Sequence, residues 1–341
     1  MQDIKDYGLK ELEKKLYSFN AKPYHTKQVF SWIYKRGVLD FNCMSDIPKE
    51  LRSRLLDNFY ILGFSLYKSV KSKDGTTKLL LKKGADLIEA VLIPSLDRVT
   101  GCVSSQIGCK FRCSFCASGI FGLKRNLTTG EIIEEILYLK ENAFENKLTH
   151  IVFMGIGEPL DNYENVIKAV RIINSNYGLK IGARRITIST CGIIPGIERL
   201  SKEGLQVELS VSLHAPTNSL RSRLMPVNKK YPLLKLIKTC KKYCQDTKRQ
   251  VTFEYILIKD VNSSLKEAED LCALLKGFKL FKVNLIPSNY IPELKLTPPE
   301  KDKTTLFKNY LLKRGIHATL RKERGVDINA ACGQLRLNYS A

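Results

Sequence analysis

Apolar side chains recur at three- and four-residue spacing over KELEKKL (10–16), TKQVFSWIY (26–34) and PKELRSRLLDNF (48–59), the period of helices that bury one face. Pro48 suits the first turn of the third, where a missing backbone N–H costs nothing. Residues 1–70 therefore predict a small, basic helical module. The pattern then changes: FSLYKSV, SKDGTT and KLLLKK (64–83) read as two strands around an Asp74-Gly75 turn, and IEAVLIP (88–94) as a third that Pro94 ends. After a short strand near Val103, strand-like runs follow at HIVFMG (150–155), RITIST (185–190), VELSVSLH (207–214), VTFEYILI (251–258), KVNLIP (282–287) and HATLRK (317–322). Helical runs such as EIIEEILYLKENAF (131–144), NYENVIKAVRIINS (162–175) and SLKEAEDLCALLKG (264–277) lie between them. This alternation predicts an α/β fold of parallel strands joined by crossover helices. The strands are too few for a closed eight-stranded barrel, so a partial barrel is expected, with active loops at the strands' carboxyl ends. The chain divides on this reading into a helical module (1–70), a β-hairpin extension packed on the barrel (71–100) and the barrel core with its C-terminal segment (101–341). It shows no internal repeat, low-complexity tract or Gly/Ser linker.

At about 150 residues per domain, 341 residues suit two domains and bury a core without disulfide staples. Lys and Arg number 56 against 34 Asp and Glu, a net charge of +22 that favours a polyanionic partner. No run approaches the roughly 18 apolar residues of a membrane span, and the first twenty residues carry charges where a signal peptide has an apolar core. A cytoplasmic protein without a membrane partner is expected. Ten cysteines are many for a reducing compartment, so some should be chemical.

Four of the ten fall between Cys102 and Cys116. The segment GCKFRCSFCASG (108–119) spaces Cys109, Cys113 and Cys116 as C-x3-C-x2-C, three soft ligands on one short loop. Structural zinc wants four ligands, usually in two separated pairs. A [4Fe-4S] cluster on three cysteines leaves one iron open to chelate the amino and carboxylate groups of S-adenosylmethionine. Zinc and inert packed cysteines are the bland alternatives. The array resembles that of radical S-adenosylmethionine (radical SAM) enzymes, with Phe115 at the aromatic position before the last cysteine. One crossover unit later, GIGEPL (155–160) supplies two glycines that permit close backbone approach and Glu158, which can accept from an ammonium. It resembles the GGEP-type motif that holds the methionyl amino group.

The resemblance widens over CVSSQIGC (102–109), MGIGEPL (154–160), ISTCGIIPGI (188–197), SLHAP (212–216), LMPVN (224–228), NLIPSN (284–289) and DINAACGQL (327–335). From about residue 22 to 338 the chain is similar to the RlmN/Cfr family of radical SAM adenine methyltransferases. Pro159 and the WIY at 32–34 look more like its adenine-C2 members than the C8-methylating resistance branch, which stays as the alternative enzyme. A noncatalytic iron-sulfur or zinc RNA-binding module is the alternative from another class. It would not need Cys102, Glu89 and Cys332 together with GIGEPL.

The resemblance implies two S-adenosylmethionine molecules per turnover. One methylates Cys332; the other, bound at the cluster, yields the radical that abstracts hydrogen from that methyl group. The resulting methylene radical adds to adenine C2, a base removes the ring proton, and a second cysteine attacks Cys332 to release the product as a disulfide forms. The resolving cysteine matches Cys102 and the proton acceptor Glu89. Contacts to S-adenosylmethionine match Gly157, Glu158, Ser189, Ser212, Leu213, His214 and Asn289, and the cluster ligands match Cys109, Cys113 and Cys116. Adenine C2 is electron-poor and lacks nucleophilic character, so a radical route suits it independently. Implied substrates are adenosine 2503 of 23S ribosomal RNA before full ribosome assembly and adenosine 37 of some transfer RNAs. Turnover implies a one-electron donor such as flavodoxin or ferredoxin with its reductase, and a disulfide reductant. A monomer is the default.

The remaining cysteines read as packing: Cys240 and Cys244 share a helix face without nearby histidines, Cys43 looks structural, and Cys191 is tolerated near the cofactor. His25, His150 and His317 lack metal partners in the sequence. As an alternative to base chemistry, Glu89 could pair with a cation such as Arg321. Basic clusters such as KLYSFNAKPYHTK (15–27), YKSVKSK (67–73), RSR (221–223) and KKYCQDTKR (241–249) include ordinary solvated faces, but several interleave aromatics that can stack on exposed bases. The N-terminal module is the candidate for holding RNA outside the barrel.

Overall fold

The computed structural model describes residues 1–335 except 144, 146, 292 and 293. Phe144 of the 131–144 run and residues 336–338 of the resemblance lie outside the described residues. The N-terminal module contains α1 (Leu9–Tyr17), α2 (Pro23–Tyr34) and α3 (Lys49–Asn58). Their apolar stripes meet through Leu12, Leu16, Phe30, Ile33 and Leu55, all buried. Pro23 occupies the start of α2, whereas Pro48 caps α3 instead of entering its first turn.

Two short strands, β1 (Gln2–Asp3) and β2 (Phe59–Tyr60), pair in parallel and bring the ends of the module together. Beside them, the fully buried Lys5 ammonium contacts Asp3 at 2.8 Å and Glu134 at 3.2 Å. Glu134 lies on α4 (Thr129–Glu141) and also accepts from the backbone N–H groups of Gly63 and Phe64. Buried charge stays in place only when paired and hydrogen-bonded, so this network clamps the module onto the first crossover helix.

Among the described residues the main sheet has ten strands, lying side by side in the order in which the chain supplies them. Its first part is an antiparallel meander of β3 (Ser65–Lys71), β4 (Thr77–Lys83), β5 (Asp86–Ser95) and β6 (Arg98–Cys102). Next, β7 (Gln106–Gly108) and β8 (Leu123–Asn126) form a separate antiparallel pair around the cysteine loop. The parallel series continues through β9 (His150–Phe153), β10 (Ile186–Thr190), β11 (Glu208–Ser212), β12 (Val251–Leu257), β13 (Phe281–Pro287) and β14 (Ala318–Leu320). Six crossovers connect β6 to β14. They are α4, α5 (Tyr163–Asn174), α6 (Ile194–Leu200), the pair α7 (Asn218–Leu224) and α8 (Leu233–Thr247), α9 (Leu265–Leu275) and α10 (Lys301–Lys313). This is a partial (β/α)6 barrel extended at one edge by the meander.

Two strand expectations shift. The first parallel strand is β6, ending at Cys102, and the Val103 N–H continues its pairing by donating to Val152 O at 3.0 Å. Pro94 does not end β5: it pairs with Val99 next to the Ser95–Arg98 turn, an end position where the missing donor is tolerated.

Alternation along β4 and β5 sends Leu79, Leu81, Ile88, Ala90 and Leu92 into the main core. Val91 and Cys102 face the other way and meet Ile156, Ala330 and Leu335 in a second, smaller cluster. The C-terminal segment crosses from β14 to the opposite edge of the sheet. There the Ser72 hydroxyl donates to Asp327 at 2.6 Å, and Gly325 N–H donates to Asp74 at 3.0 Å. Among the described residues no helix is long and apolar enough to cross a membrane.

Candidate active site at the carboxyl ends of the parallel strands

The cysteine loop is fixed by close backbone contacts. Gly108 has φ +77°, and a side chain there would meet Gly122 O at 1.9 Å. Cys109 N–H donates to that same carbonyl at 3.0 Å, Cys116 N–H to Cys113 O at 3.1 Å, and Ser114 N–H to Leu224 O, the end of α7, at 2.9 Å. Cys109, Cys113 and Cys116 thereby line one cavity of about 170 Å³. Six parallel strands or the loops just past them contribute much of the remaining wall, through Gly157, Glu158, Ser189, Ser212, His214, Glu254, Ile286 and Arg321. Cys332 and Gly333 close it from the C-terminal segment.

Burial first, then repulsion from Cys116 and Cys109, raises the Cys113 thiol; burial raises Cys116 against hydrogen bonds from Ser118, with Cys332 adding to the rise; Cys109 is pushed up to about 12, chiefly by burial. Such a trio is costly as bare thiolates and becomes favourable when a metal cation shares the charge. Among the described residues, no set of three or more His, Cys, Asp or Glu side chains is arranged to hold a single metal ion. The donor chemistry, three soft thiols around one cavity, fits an iron-sulfur cluster.

The GIGEPL loop packs against the chain as well as the cavity. A side chain at Gly155 would meet the Val103 carbonyl at 2.7 Å, and one at Gly157, with φ +102°, would meet Gln106 at 2.6 Å. Glu158 N–H donates to Gln106 Oε1 at 2.8 Å. The buried Glu158 carboxylate accepts from Leu160 N–H at 3.0 Å and Cys191 N–H at 2.6 Å, tying the ends of β9 and β10 together. Its pKa is raised, with burial as the main cause.

His214 is held at φ +59° past β11, and its Nδ1 accepts from Ile256 N–H at 2.9 Å, so the ring proton resides on Nε2. Phe115 packs edge-on against the ring at 4.6 Å between centroids. Burial, reinforced by the Arg221 charge, pushes His214 down to about 3. Leu213 is sealed in the core, outside the cavity lining. Asn289 also lies outside that lining, where its Nδ2 donates to Cys332 O at 3.0 Å. Its buried Oδ1 has no hydrogen-bond partner among the described residues.

Cys332 sits where several elements converge. Ala117 N–H, one residue beyond the last loop cysteine, donates to Gly333 O at 2.8 Å, and Ser118 Oγ donates to Leu335 O at 2.9 Å. Cys102 is pushed up to about 12, first by burial and next by Cys332, with Arg321 opposing. Arg321 is raised in turn, first by Cys332 and also by Glu254 and Cys102. Cys102 lies behind the cavity on β6, opposite Val91. Glu89 lies two residues before Val91 on β5 and forms a buried pair with Lys78 at 3.0 Å. The Lys78 partnership replaces the Glu89–Arg321 pairing considered from sequence. Cys240 and Cys244 are buried on α8, whereas Cys191 lines the cavity.

Three residues escaped the sequence reading. Glu254 stands in the otherwise apolar run VTFEYIL, a signal that could have been used, and accepts from Ser210 and Asn284. Arg321 was noticed only as a possible partner for Glu89. Arg221 looked like one member of a surface basic cluster but is fully buried.

The thiol array at the mouth of a partial (β/α)6 barrel defines the radical SAM class, and residues 103–272 match the radical SAM superfamily. Residues 2–61 match the N-terminal domain of ribosomal RNA large subunit methyltransferases. The chain is 45% identical to a probable dual-specificity RNA methyltransferase RlmN of Thermoanaerobacter sp. (strain X514), over 99% of both chains. It is 47% identical to the protein of that name from Clostridium acetobutylicum, over 99% of this chain and 98% of the other. A crystal structure of a radical SAM methyltransferase from Sphaerobacter thermophilus superposes with a TM-score of 0.94 at 44% identity, covering 98% of this chain and 99% of that one. The chain belongs to the RlmN family of radical SAM RNA methyltransferases.

Proposed function

We propose that this enzyme methylates C2 of adenosine in 23S ribosomal RNA and in some transfer RNAs through a methylated Cys332. The observation that carries the reading is the position of Cys332, on a segment bonded to the cysteine loop and electrostatically coupled to both Cys116 and Cys102. Its sulfur is thus within influence of the two groups that a methyl-carrying cysteine must meet in turn.

Cys109, Cys113 and Cys116 would hold a [4Fe-4S] cluster, which when bound supplies the electron that cleaves S-adenosylmethionine. Gly157, Glu158, Ser189, Ser212 and His214, which line the cavity, would hold S-adenosylmethionine at the strand ends, while Leu213 and Asn289 support that lining from behind. The neutral His214 ring adds no competing cation beside the cofactor. Cys332 carries the methyl group and becomes the covalent link to adenine. Glu89, held by Lys78, would accept the C2 proton as the radical adduct gives one electron back to the one-electron donor chain. Cys102 then attacks the Cys332 sulfur; the carbon–sulfur bond breaks with its electron pair passing to the methylene carbon, a proton from solvent completes the methyl group, the methylated base leaves, and an outside dithiol reduces the resulting disulfide with two electrons. Arg321 lies beside both sulfurs and stabilises the Cys102 thiolate as it forms.

Residues 1–70 would receive RNA outside the barrel, 71–100 extend the sheet, and 101–341 carry the chemistry. The fixed excess of positive charge supplies salt-dependent affinity for the polyanion. The enzyme would act as a cytoplasmic monomer with a flavodoxin- or ferredoxin-type donor. The test is anaerobic reconstitution with iron, sulfide, reductant and S-adenosylmethionine, followed by mass spectrometry of digested protein-free 23S ribosomal RNA. C2-methyladenosine with 5′-deoxyadenosine, lost in Cys332→Ala, is the expected product. C8-methyladenosine would move the enzyme to the resistance branch, and no adenine product from a loaded enzyme would refute the substrate assignment.

A further inference from the structure

Arg221 on α7 heads the fully buried large side chains of the protein. Its Nε donates to Leu213 O at 3.2 Å and its Nη1 to Asn228 Oδ1 at 2.9 Å. Its Nη2 donates to Cys191 O at 2.7 Å and Ser212 O at 2.9 Å. Every one of these acceptors is neutral. Among the described residues no carboxylate forms an ion pair with it, so the desolvated guanidinium has hydrogen-bond partners but no counter-charge of its own. A buried cation in that state is unfavourable unless an anion completes it.

The missing anion has one evident direction. Cys191 and Ser212, whose carbonyls hold Nη2, both line the cavity of the three loop cysteines. Ser114, between two of those cysteines, is hydrogen-bonded to the end of the same helix. The guanidinium charge acts on the Cys113 and Cys191 thiols. Asn228 keeps the fork oriented, its own Nδ2 bonding Asn218 and Ser222.

We infer that Arg221 is a positioning residue that sets the reduction potential of the cluster, by holding a fixed positive charge behind the wall of the cavity. With three thiolates the oxidised cluster site carries one net negative charge. Uptake of one electron from a one-electron reductant makes it two, with no bond or proton changing hands. A nearby cation stabilises the second state more than the first, so it raises the potential and eases electron entry. This inference rests on the three-cysteine cluster of the proposed function.

The experiment is an EPR-monitored redox titration of reconstituted enzyme without S-adenosylmethionine or RNA, using dithionite as reductant, with iron and sulfide counted per chain. Arg221→Gln, which removes the charge, is expected to lower the potential by at least a tenfold change in the oxidised-to-reduced ratio, about 59 mV for one electron. Arg221→Lys, which keeps it, should shift much less. Cys240→Asp approaches from α8, beside Arg221, and leaves the arginine in place while giving it a carboxylate. It should lower the potential in the same direction, and it decides the matter if Arg221→Gln does not load. A loaded Arg221→Gln or Cys240→Asp with an unshifted potential overturns the inference, as does an equal shift in Arg221→Lys and Arg221→Gln. A wild-type protein that takes up no [4Fe-4S] cluster overturns the cluster reading itself.

Discussion

Replacing Gly108 with alanine strikes the cysteine loop at its base, and the structure supplies the size of the effect. The residue has φ +77°, a region that costs an L-residue about 1–2 kcal/mol. Its new methyl would also fall 1.9 Å from Gly122 O, against 3.4 Å for ordinary contact, so the two backbone segments must separate by about 1.5 Å. That separation removes the 3.0 Å hydrogen bond from Cys109 to Gly122, worth about 1 kcal/mol. A total destabilisation of about 2–3 kcal/mol follows, and the displaced residue is Cys109 itself.

Gly204→Ala is the matched control. It has φ +67° with nothing within 4 Å, so it carries the conformational cost without the collision. Urea midpoints of the apo chains give the stability difference, and iron with sulfide per chain gives cluster occupancy. Gly108→Ala should lose about 1 kcal/mol more than the control and bind substantially less cluster, while the control loads as wild type. Equal stability losses with full loading in both variants would refute the reasoning that this glycine holds the loop.

Lys78→Met should cost about 1.5–3 kcal/mol, the worth of a hydrogen bond to a charged group, by removing the ammonium that Glu89 contacts, and adding Glu89→Gln should restore part of it; an unchanged urea midpoint would contradict the pairing. His214 titrates near 3 when folded against an ordinary 6.5, so between those values the unfolded chain binds a proton that the folded chain lacks. Stability should therefore fall with pH through that window by about 1.4 kcal/mol per unit from this group, and His214→Gln should flatten the slope between pH 6.5 and 5.5. Cys102→Ala should retain the covalent protein–RNA species, seen as an SDS-resistant band that nuclease shifts; wild-type yields of free methylated RNA would remove Cys102 from its role.

What could be read in the sequence was local or strictly periodic. The three module helices, six of the parallel strands and the helices of three crossovers, α4, α5 and α9, follow from runs whose apolar spacing belongs to one period. The cysteine array is compact enough to recognise within eight residues. By contrast, β6 is five residues of RVTGC with no clear alternation, so its position was misjudged by a few residues. The Lys78–Glu89 pair depends on the register between β4 and β5, which no local pattern encodes. Cys332 drew attention only through the resemblance, because its contacts with the loop cross more than 200 residues of chain. Arg221 was misread for the same reason: RSR reads as a solvated face until the fold buries its first residue.

The two faces of the edge meander explain how a cysteine on a turn comes to lie between the loop cysteines and Cys102. One face feeds the main core and fixes the strands; the other keeps Val91 and Cys102 available to the C-terminal segment. That segment is anchored at Asp327 by Ser72, at Asn329 O by Lys78, at Cys332 O by Asn289 and at Gly333 O by Ala117. These anchors belong to opposite edges of the sheet and to the cysteine loop, so the sulfur is held by the closure of the barrel and not by its own local conformation. A helix or strand at this place would commit Cys332 to one face. A turn tied down on both sides, with Gly333 at φ +81°, lets a single thiol border the loop cysteines and Cys102 at once.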